Sequence, residues 1–298
     1  MVTTQSGPRF SRRFRVRHYE LDALGHLNNV VFVNYMQEAA VEASAVLGFN
    51  PEWYRDRGEV WVVRRLEVRY LGQVAFGDAV DVATWASATG GVRSVREYDL
   101  TLAGSATRVA RARAEWAYVD VATGQPAGIP DVLAAAFGAA GGEEDLGIRT
   151  RNPRSTDGAY RYVSRRPVQF RELDTLRHVN HAAYLDWVGQ AYFDATRSIN
   201  YPPEQTRKEG WMILQAGHSA EFLAPAVADD NIEVVSWVSE LGGVRGAWTH
   251  EIYNADTRQL LARDYSLGVF VNLEGRPCTL PRQAVDAVLR GPTTKAPV

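Results

Sequence analysis

A carboxylate, an imidazole and an amide fall close together twice in this chain. Glu20-Leu21-Asp22-Ala23-Leu24-Gly25-His26-Leu27-Asn28 and Glu172-Leu173-Asp174-Thr175-Leu176-Arg177-His178-Val179-Asn180 share Glu, Leu, Asp, Leu, His and Asn in register, 152 residues apart. Each stretch leads into a long apolar segment that reads as a helix. An aspartate in such a loop can act as a general base or attack a carbonyl itself. The unpaired N–H groups at a helix start can polarise that carbonyl. Alone, Asp22 and Asp174 would be ordinary turn residues. Their duplication together with His and Asn argues for chemistry on an acyl group.

The remaining members of the motif each carry two readings. Asn28 and Asn180 can cap the helix or orient a water. His26 and His178 can polarise a carbonyl or position the acid, or simply pack in the loop. The catalytic candidates are thus Asp22, His26, Asn28, Asp174, His178 and Asn180. Glu38 and Asp186 are rival acids, but they lie on the stripes Asn34-Glu38-Glu42 and Asp186-Gln190-Asp194, whose helical spacing suits a solvated or inter-repeat face. His178 and His181 have His-x-x-His spacing without a supporting ligand cluster, so no metal is expected, and no cofactor. No Gly-x-Ser-x-Gly elbow, P-loop or His-Glu-x-x-His occurs.

The repeat extends far beyond the loops. At the same offset Trp85 meets Trp237, Gly90-Gly91-Val92-Arg93 meets Gly242-Gly243-Val244-Arg245, and Arg111 meets Arg263. An offset held this long implies two copies of one fold. In each copy a short strand (Arg13 to Arg17; Tyr160 to Phe170) precedes the loop. Helices are expected over Val30–Leu47 and Ala182–Ile199. Strand candidates follow at Val60–Leu71, Ala79–Ser87, Val92–Leu102 and Val109–Asp120, and again at Trp211–Leu223, Asn231–Ser239, Val244–Tyr253 and Leu260–Asn272. One long helix followed by an antiparallel meander predicts an α+β module, a sheet wrapped around its helix. The modules are expected at 9–137 and 159–291, with a Gly-, Ser- and charge-rich linker at 138–158.

Bulk properties exclude other classes. With 46% hydrophobic and 23% charged residues among 298, the chain can build two ordinary cores. A net charge of −2 gives no ground for nucleic acid as a partner. The uncharged run Val132 to Gly142 is far short of the roughly 20 residues that span a bilayer, so no membrane is expected. The lone Cys278 cannot form an internal disulfide, and Met1 to Gln5 leads into arginines rather than an apolar h-region. Both suit a cytoplasmic protein.

These residues resemble a known family. Asp22-Ala23-Leu24-Gly25-His26-Leu27-Asn28-Asn29 is similar to the Asp-x-x-Gly-His-x-Asn-Asn loop of the hydroxybenzoyl-CoA thioesterases. Tyr19-Glu20, Gln37-Glu38-Ala39-Ala40, the strand Trp61 to Leu66, His178-Val179-Asn180 and Tyr184-Leu185-Asp186-Trp187 resemble patterns of acyl-carrier-protein thioesterases. The resemblance implies two tandem hotdog modules packed as an internal pseudo-dimer. It also implies hydrolysis of an acyl-CoA or acyl-carrier-protein thioester, with homo-oligomers of the tandem chain as a further option. The second copy departs from the pattern at Leu176, Arg177 and His181, where the family has Asn, Gly and Asn. Two rivals share the fold: a hydratase or dehydratase, whose Asn-Pro-x-His signature is missing, and a non-catalytic acyl-thioester-binding protein, which would not need the Asp pair.

Overall fold

The computed structural model describes residues 7–139, 141, 145–149 and 156–292. The chain divides into two compact units between Gly147 and Ile148. The stretch expected as a linker, 138–158, lies partly outside the described residues.

Unit 1 runs β1 (Phe10–Arg15), α1 (Asn29–Val46), α2 (Pro51–Arg57), β2 (Glu59–Tyr70), β3 (Ala79–Gly90), β4 (Arg93–Leu102), β5 (Arg108–Asp120) and α3 (Asp131–Phe137). Its strands pair antiparallel in the order β1-β3-β4-β5-β2. Period-two alternation sets the faces. Phe14 of β1 turns inward and stacks on Tyr35 at 4.4 Å, while Arg13 turns outward and forks onto Asp81 at 2.7 and 2.8 Å. Helix α1 lies against β1 and β3 and buries Phe32, Met36, Ala39 and Ala43. The alanines let its backbone approach the sheet, and burying Phe32 and Met36 stabilises by about 1.5–3 kcal/mol each. Gly48, at φ 94°, ends it with a left-handed residue that other side chains would resist.

Unit 2 repeats the plan with β6 (Tyr162–Pro167), α4 (His181–Ser198), α5 (Pro203–Lys208), β7 (Trp211–Phe222), β8 (Asn231–Gly242), β9 (Arg245–Asn254), β10 (Leu260–Asn272) and α6 (Arg282–Arg290). Its antiparallel order is β6-β8-β9-β10-β7, that of unit 1. Even the register breaks recur, at Ala86/Ala88 in β3 and Val238/Glu240 in β8.

Several details differ from expectation, and the first strand, expected over Arg13 to Arg17, runs Phe10–Arg15. Both long helices begin and end one residue early, because Asn28 and Asn180 take the cap position. The strand expected over Tyr160–Phe170 is only Tyr162–Pro167, as proline has no N–H to continue a ladder. Four short helices, α2, α3, α5 and α6, were not expected. Each begins beside a proline, whose fixed φ suits a first turn.

Candidate active site

In both units the motif forms one closed loop between a single 3₁₀ turn and the long helix. The turn His18–Glu20 ends on Glu20, which is buried at 8% exposure. The Glu20 carboxylate accepts the Arg17 N–H at 2.7 Å, the Tyr35 hydroxyl at 2.6 Å and the Arg17 guanidinium at 3.1 Å. Its backbone carbonyl accepts the Asn28 N–H at 2.9 Å, which shuts the loop. Unit 2 copies the clamp. Glu172 accepts the Gln169 N–H at 2.8 Å, the Trp187 Nε1–H at 3.0 Å and the Arg166 guanidinium, and its carbonyl accepts the Asn180 N–H. Arg17, Arg166, Tyr35 and Trp187 therefore hold the loops from below. The motif's Glu, to which sequence reasoning gave no role, positions the loop. Its invariance between the copies was the available signal.

Inside the loop, the Asp is locked by one oxygen only. Asp22 Oδ1 accepts the N–H groups of Leu24 at 2.8 Å and His26 at 3.0 Å, and the Asp22 N–H donates to the His26 carbonyl at 2.7 Å. Asp174 Oδ1 accepts the Leu176 N–H at 2.8 Å, and its N–H donates to the His178 carbonyl at 2.8 Å. Among the described residues no hydrogen bond reaches Oδ2 of either Asp. That leaves one carboxylate oxygen per loop oriented by its partner and itself without a hydrogen bond among the described residues. The tight bend needs a left-handed residue, which is Gly25 at φ 82° in one loop and Arg177 at φ 63° in the other.

Asn28 and Asn180 are helix caps. Asn28 Oδ1 accepts the Val30 N–H at 3.0 Å, and Asn180 Oδ1 accepts the Ala182 N–H at 2.9 Å. The carbonyls of the same two residues take the Val31 and Ala183 N–H groups. The supply of free donors at the helix start is thus narrower than expected. In unit 1 it comes down to the Asn29 N–H, the first helical donor, which has no intrahelical acceptor. The imidazoles of His26 and His178 make no hydrogen bond to their Asp carboxylates. Their backbones do the work, bridging to Ala75 and Val227 and pinning the loop to the strand connection behind it. In unit 2 Tyr184 strengthens that connection, its hydroxyl accepting the Ala226 N–H at 2.8 Å.

The rival acids stand elsewhere. Glu38 is exposed on the outer stripe of α1. Asp186 is also solvent-accessible, with a carboxyl held above the usual aspartate range by partial burial and then by the Glu172 charge. His181 does not join His178 in a ligand pair. It packs edge-on against Phe222 at 5.9 Å, and burial lowers its pKa to about 4. Among the described residues no group of three His, Cys, Asp or Glu is placed to hold a metal, and no helix is long and apolar enough to cross a membrane.

Sequence reasoning missed a buried polar row in unit 2. His218 Nδ1 lies 2.9 Å from Asp264 Oδ2, Ser266 donates to the same oxygen at 2.6 Å, and Ser236 Oγ meets His250 Nδ1 at 2.8 Å. The equivalent positions in unit 1 are Leu66, Ala112, Ala114, Thr84 and Tyr98. A comparison of the repeats therefore gave no signal there.

Two α+β repeats, each presenting an oriented Asp loop at the start of its long helix, define a tandem hotdog-like protein. The chain belongs to the thioesterase-like superfamily, whose family model matches residues 16–137 and 168–290. It is 24% identical over 198 residues to a chloroplastic acyl-(acyl-carrier-protein) hydrolase of Cuphea viscosissima, covering 62% of this chain and 47% of that protein. It is 22% identical over 273 residues to oleoyl-acyl carrier protein thioesterase 1 of Arabidopsis thaliana, covering 87% and 72%. The chain spans about half the length of several curated relatives that it matches. The solved 12:0-ACP thioesterase of Umbellularia californica shares the fold, with a TM-score of 0.70 at 20% identity over 88% of this chain and 94% of that one.

Proposed function

We propose that this chain hydrolyses acyl thioesters of acyl carrier protein or CoA, with Asp22 and Asp174 as the working carboxylates. In this reading α1 and α4 are the central helices of two hotdog modules, residues 9–137 and 159–291. One observation carries the assignment: twice, in a loop that leads into a helix start, an Asp is pinned through Oδ1 by loop N–H groups while no hydrogen bond among the described residues reaches Oδ2. Water adds to the thioester carbonyl, the C–S bond breaks, and the thiol leaves with the proton. A thiol has a free pKa of about 8.5, so it departs without a strong acid. What remains to be supplied is a base or nucleophile and stabilisation of the oxyanion. The unbonded Asp oxygen supplies the first, by taking the water's proton, or by attacking directly to expel the thiolate and form a mixed anhydride that water then hydrolyses. In the first loop the Asn29 N–H supplies part of the second.

The relatives' names favour acyl carrier protein over CoA as the carrier. The test is a panel of acyl-carrier-protein and acyl-CoA thioesters read by free-thiol release. Thiol release without added metal, unaffected by EDTA, is the expected result. Hydration of an enoyl thioester with no thiol released would overturn the reading in favour of a hydratase. Binding without turnover would leave a non-catalytic acyl-thioester protein.

A further inference from the structure

Unit 1 buries an arginine that pairs with no acid among the described residues. Arg96 of β4 is 7% exposed, and among the described residues no carboxylate forms an ion pair with it. Its guanidinium lies over the Phe137 ring at 5.3 Å. Its one hydrogen bond is a long contact of 3.4 Å to Thr84 Oγ1, a hydroxyl that already donates to the Glu97 carbonyl. The nearest acid on the strand, Glu97, is held by Arg113 at 2.7 Å. Burial lowers the Arg96 pKa, yet a guanidinium stays charged at neutral pH. One aromatic contact, one long hydrogen bond and the neighbouring neutral phenols of Tyr98 and Tyr54 compensate only in part for desolvating that charge.

The fold does not require it. The equivalent position in unit 2 is Trp248, an indole packed on Tyr192 of α4 at 5.5 Å. An apolar ring serves that strand position well, so the arginine in unit 1 needs another reason. Arg96 lines a cleft of about 70 Å³ with Ala43, Leu47 and Phe137, and Arg9 lines it too. Arg9 brings a second positive charge, seated over Trp85 at 3.8 Å. Two cations on a small, otherwise apolar cleft match a small anionic group on an apolar stem. Bidentate capture of a carboxylate suits a guanidinium best.

We propose that this cleft is a carboxylate-binding site, with Arg96 as its charge partner. Two sources of that carboxylate fit. One is the far end of an acyl chain that carries a second carboxyl group. The cleft sits beside the last turn of α1, about 20–25 Å along the helix from the Asn28 cap, at the rise of a residue per 1.5 Å. The other is a free long-chain carboxylate, which includes the product of hydrolysis. Only the first source rests on the thioesterase reading.

The experiment has a binding arm and a turnover arm. Calorimetry with dodecanoate and with dodecanol separates charge from chain. Wild type should bind dodecanoate at least about tenfold more tightly than Arg96→Gln does, with dodecanol unchanged and Arg96→Lys retaining part of the preference. In the second arm, the kcat/KM ratio for dodecanedioyl-CoA over dodecanoyl-CoA should fall about tenfold in Arg96→Gln if the acyl terminus is the source. A response in the binding arm alone assigns the site to free carboxylates. Charge-dependent binding with no turnover of any thioester would keep the site and reject the thioesterase reading. If Arg96→Gln fails to fold, the Arg96→Lys variant and the dodecanoate-to-dodecanol ratio of the wild type decide the matter. Equal binding of dodecanoate and dodecanol to wild type overturns the proposal.

Discussion

At the scale of single residues, unit 2 carries a liability that unit 1 lacks. His250 is fully buried and His181 is half-buried, and desolvation lowers both pKa values to about 4 from a free value of 6.5. The folded unit therefore holds them neutral where the unfolded chain would protonate them. Between about pH 6.5 and 4 the unfolded state binds more protons, so stability is full above that window and falls as pH drops through it. From pH 7.5 to 5 His250 should remove about 2 kcal/mol, taking 1.36 kcal/mol per pKa unit, and the half-buried His181 somewhat less because solvent screens part of its shift. Asp186 works the other way, since its raised carboxyl favours the folded state on protonation, but its solvent exposure keeps that contribution small. Hydrogen exchange followed by unit at pH 7.5 and 5 should show unit 2 loosening first. His181→Asn, which installs the residue found at position 29 of unit 1, should remove about half of the difference. Equal behaviour of the two units would refute this account. Residues of this kind were not legible in the sequence, because burial is a property of the packed sheet. Leu66 aligned with His218 between the repeats, or Ala112 aligned with Asp264, looks like simple divergence until the strands are in place.

At the scale of elements, loop and helix start form one device, and the two copies differ in how well it is built. The bend requires a left-handed residue. Gly25 adopts it freely, and a Cβ there would meet nothing within 4 Å, so only backbone strain opposes substitution. Arg177 carries that strain, worth roughly 1–2 kcal/mol for a residue with a Cβ. Arg177→Gly should raise stability by about 0.5–1 kcal/mol, since the relief exceeds the added freedom of the unfolded chain. Gly25→Ala should lower it by about 1–2 kcal/mol. Urea melts of the two variants check both signs. The same difference bears on the site, because Asp22 Oδ1 gathers two loop N–H groups and Asp174 Oδ1 gathers one. The long helices and the strands of the meander were legible from periodicity and from a constant offset. The proline-led helices α2, α3, α5 and α6 were not, since six to nine residues are too few for a periodic signal. The loop's Asp, His and Asn were legible as a set, but their division of labour was not. Capping by Asn28 and clamping by Glu20 depend on which hydrogen-bond partners the fold brings near.

At the scale of the whole chain, the proposed chemistry can rest on one loop or on both. Duplication alone does not require two active sites, because a second copy can persist as structure. The structure separates the two possibilities by residue. Glu, Asn and the loop backbone have structural work in both units, so their retention is explained without catalysis. The Asp is also partly explained, since Oδ1 ties the loop together. An asparagine would supply that same Oδ1 acceptor, so structure alone does not require a carboxylate at both positions. The retained charge is therefore the feature that function has to explain. Asp22→Asn and Asp174→Asn keep the loop bonds and remove only the charge on the open oxygen. Each single variant should fold as wild type and keep measurable thiol release, while the double variant should fold and lose about 10²–10⁴ in kcat. Near-complete loss in one single variant, with none in the other, would assign catalysis to one loop and make its counterpart structural. Asp22, with its two-donor lock and unstrained glycine bend, is the copy expected to retain the greater share of activity when the other is removed. Full activity in the double variant would reject both carboxylates and turn attention to Glu38 and Asp186.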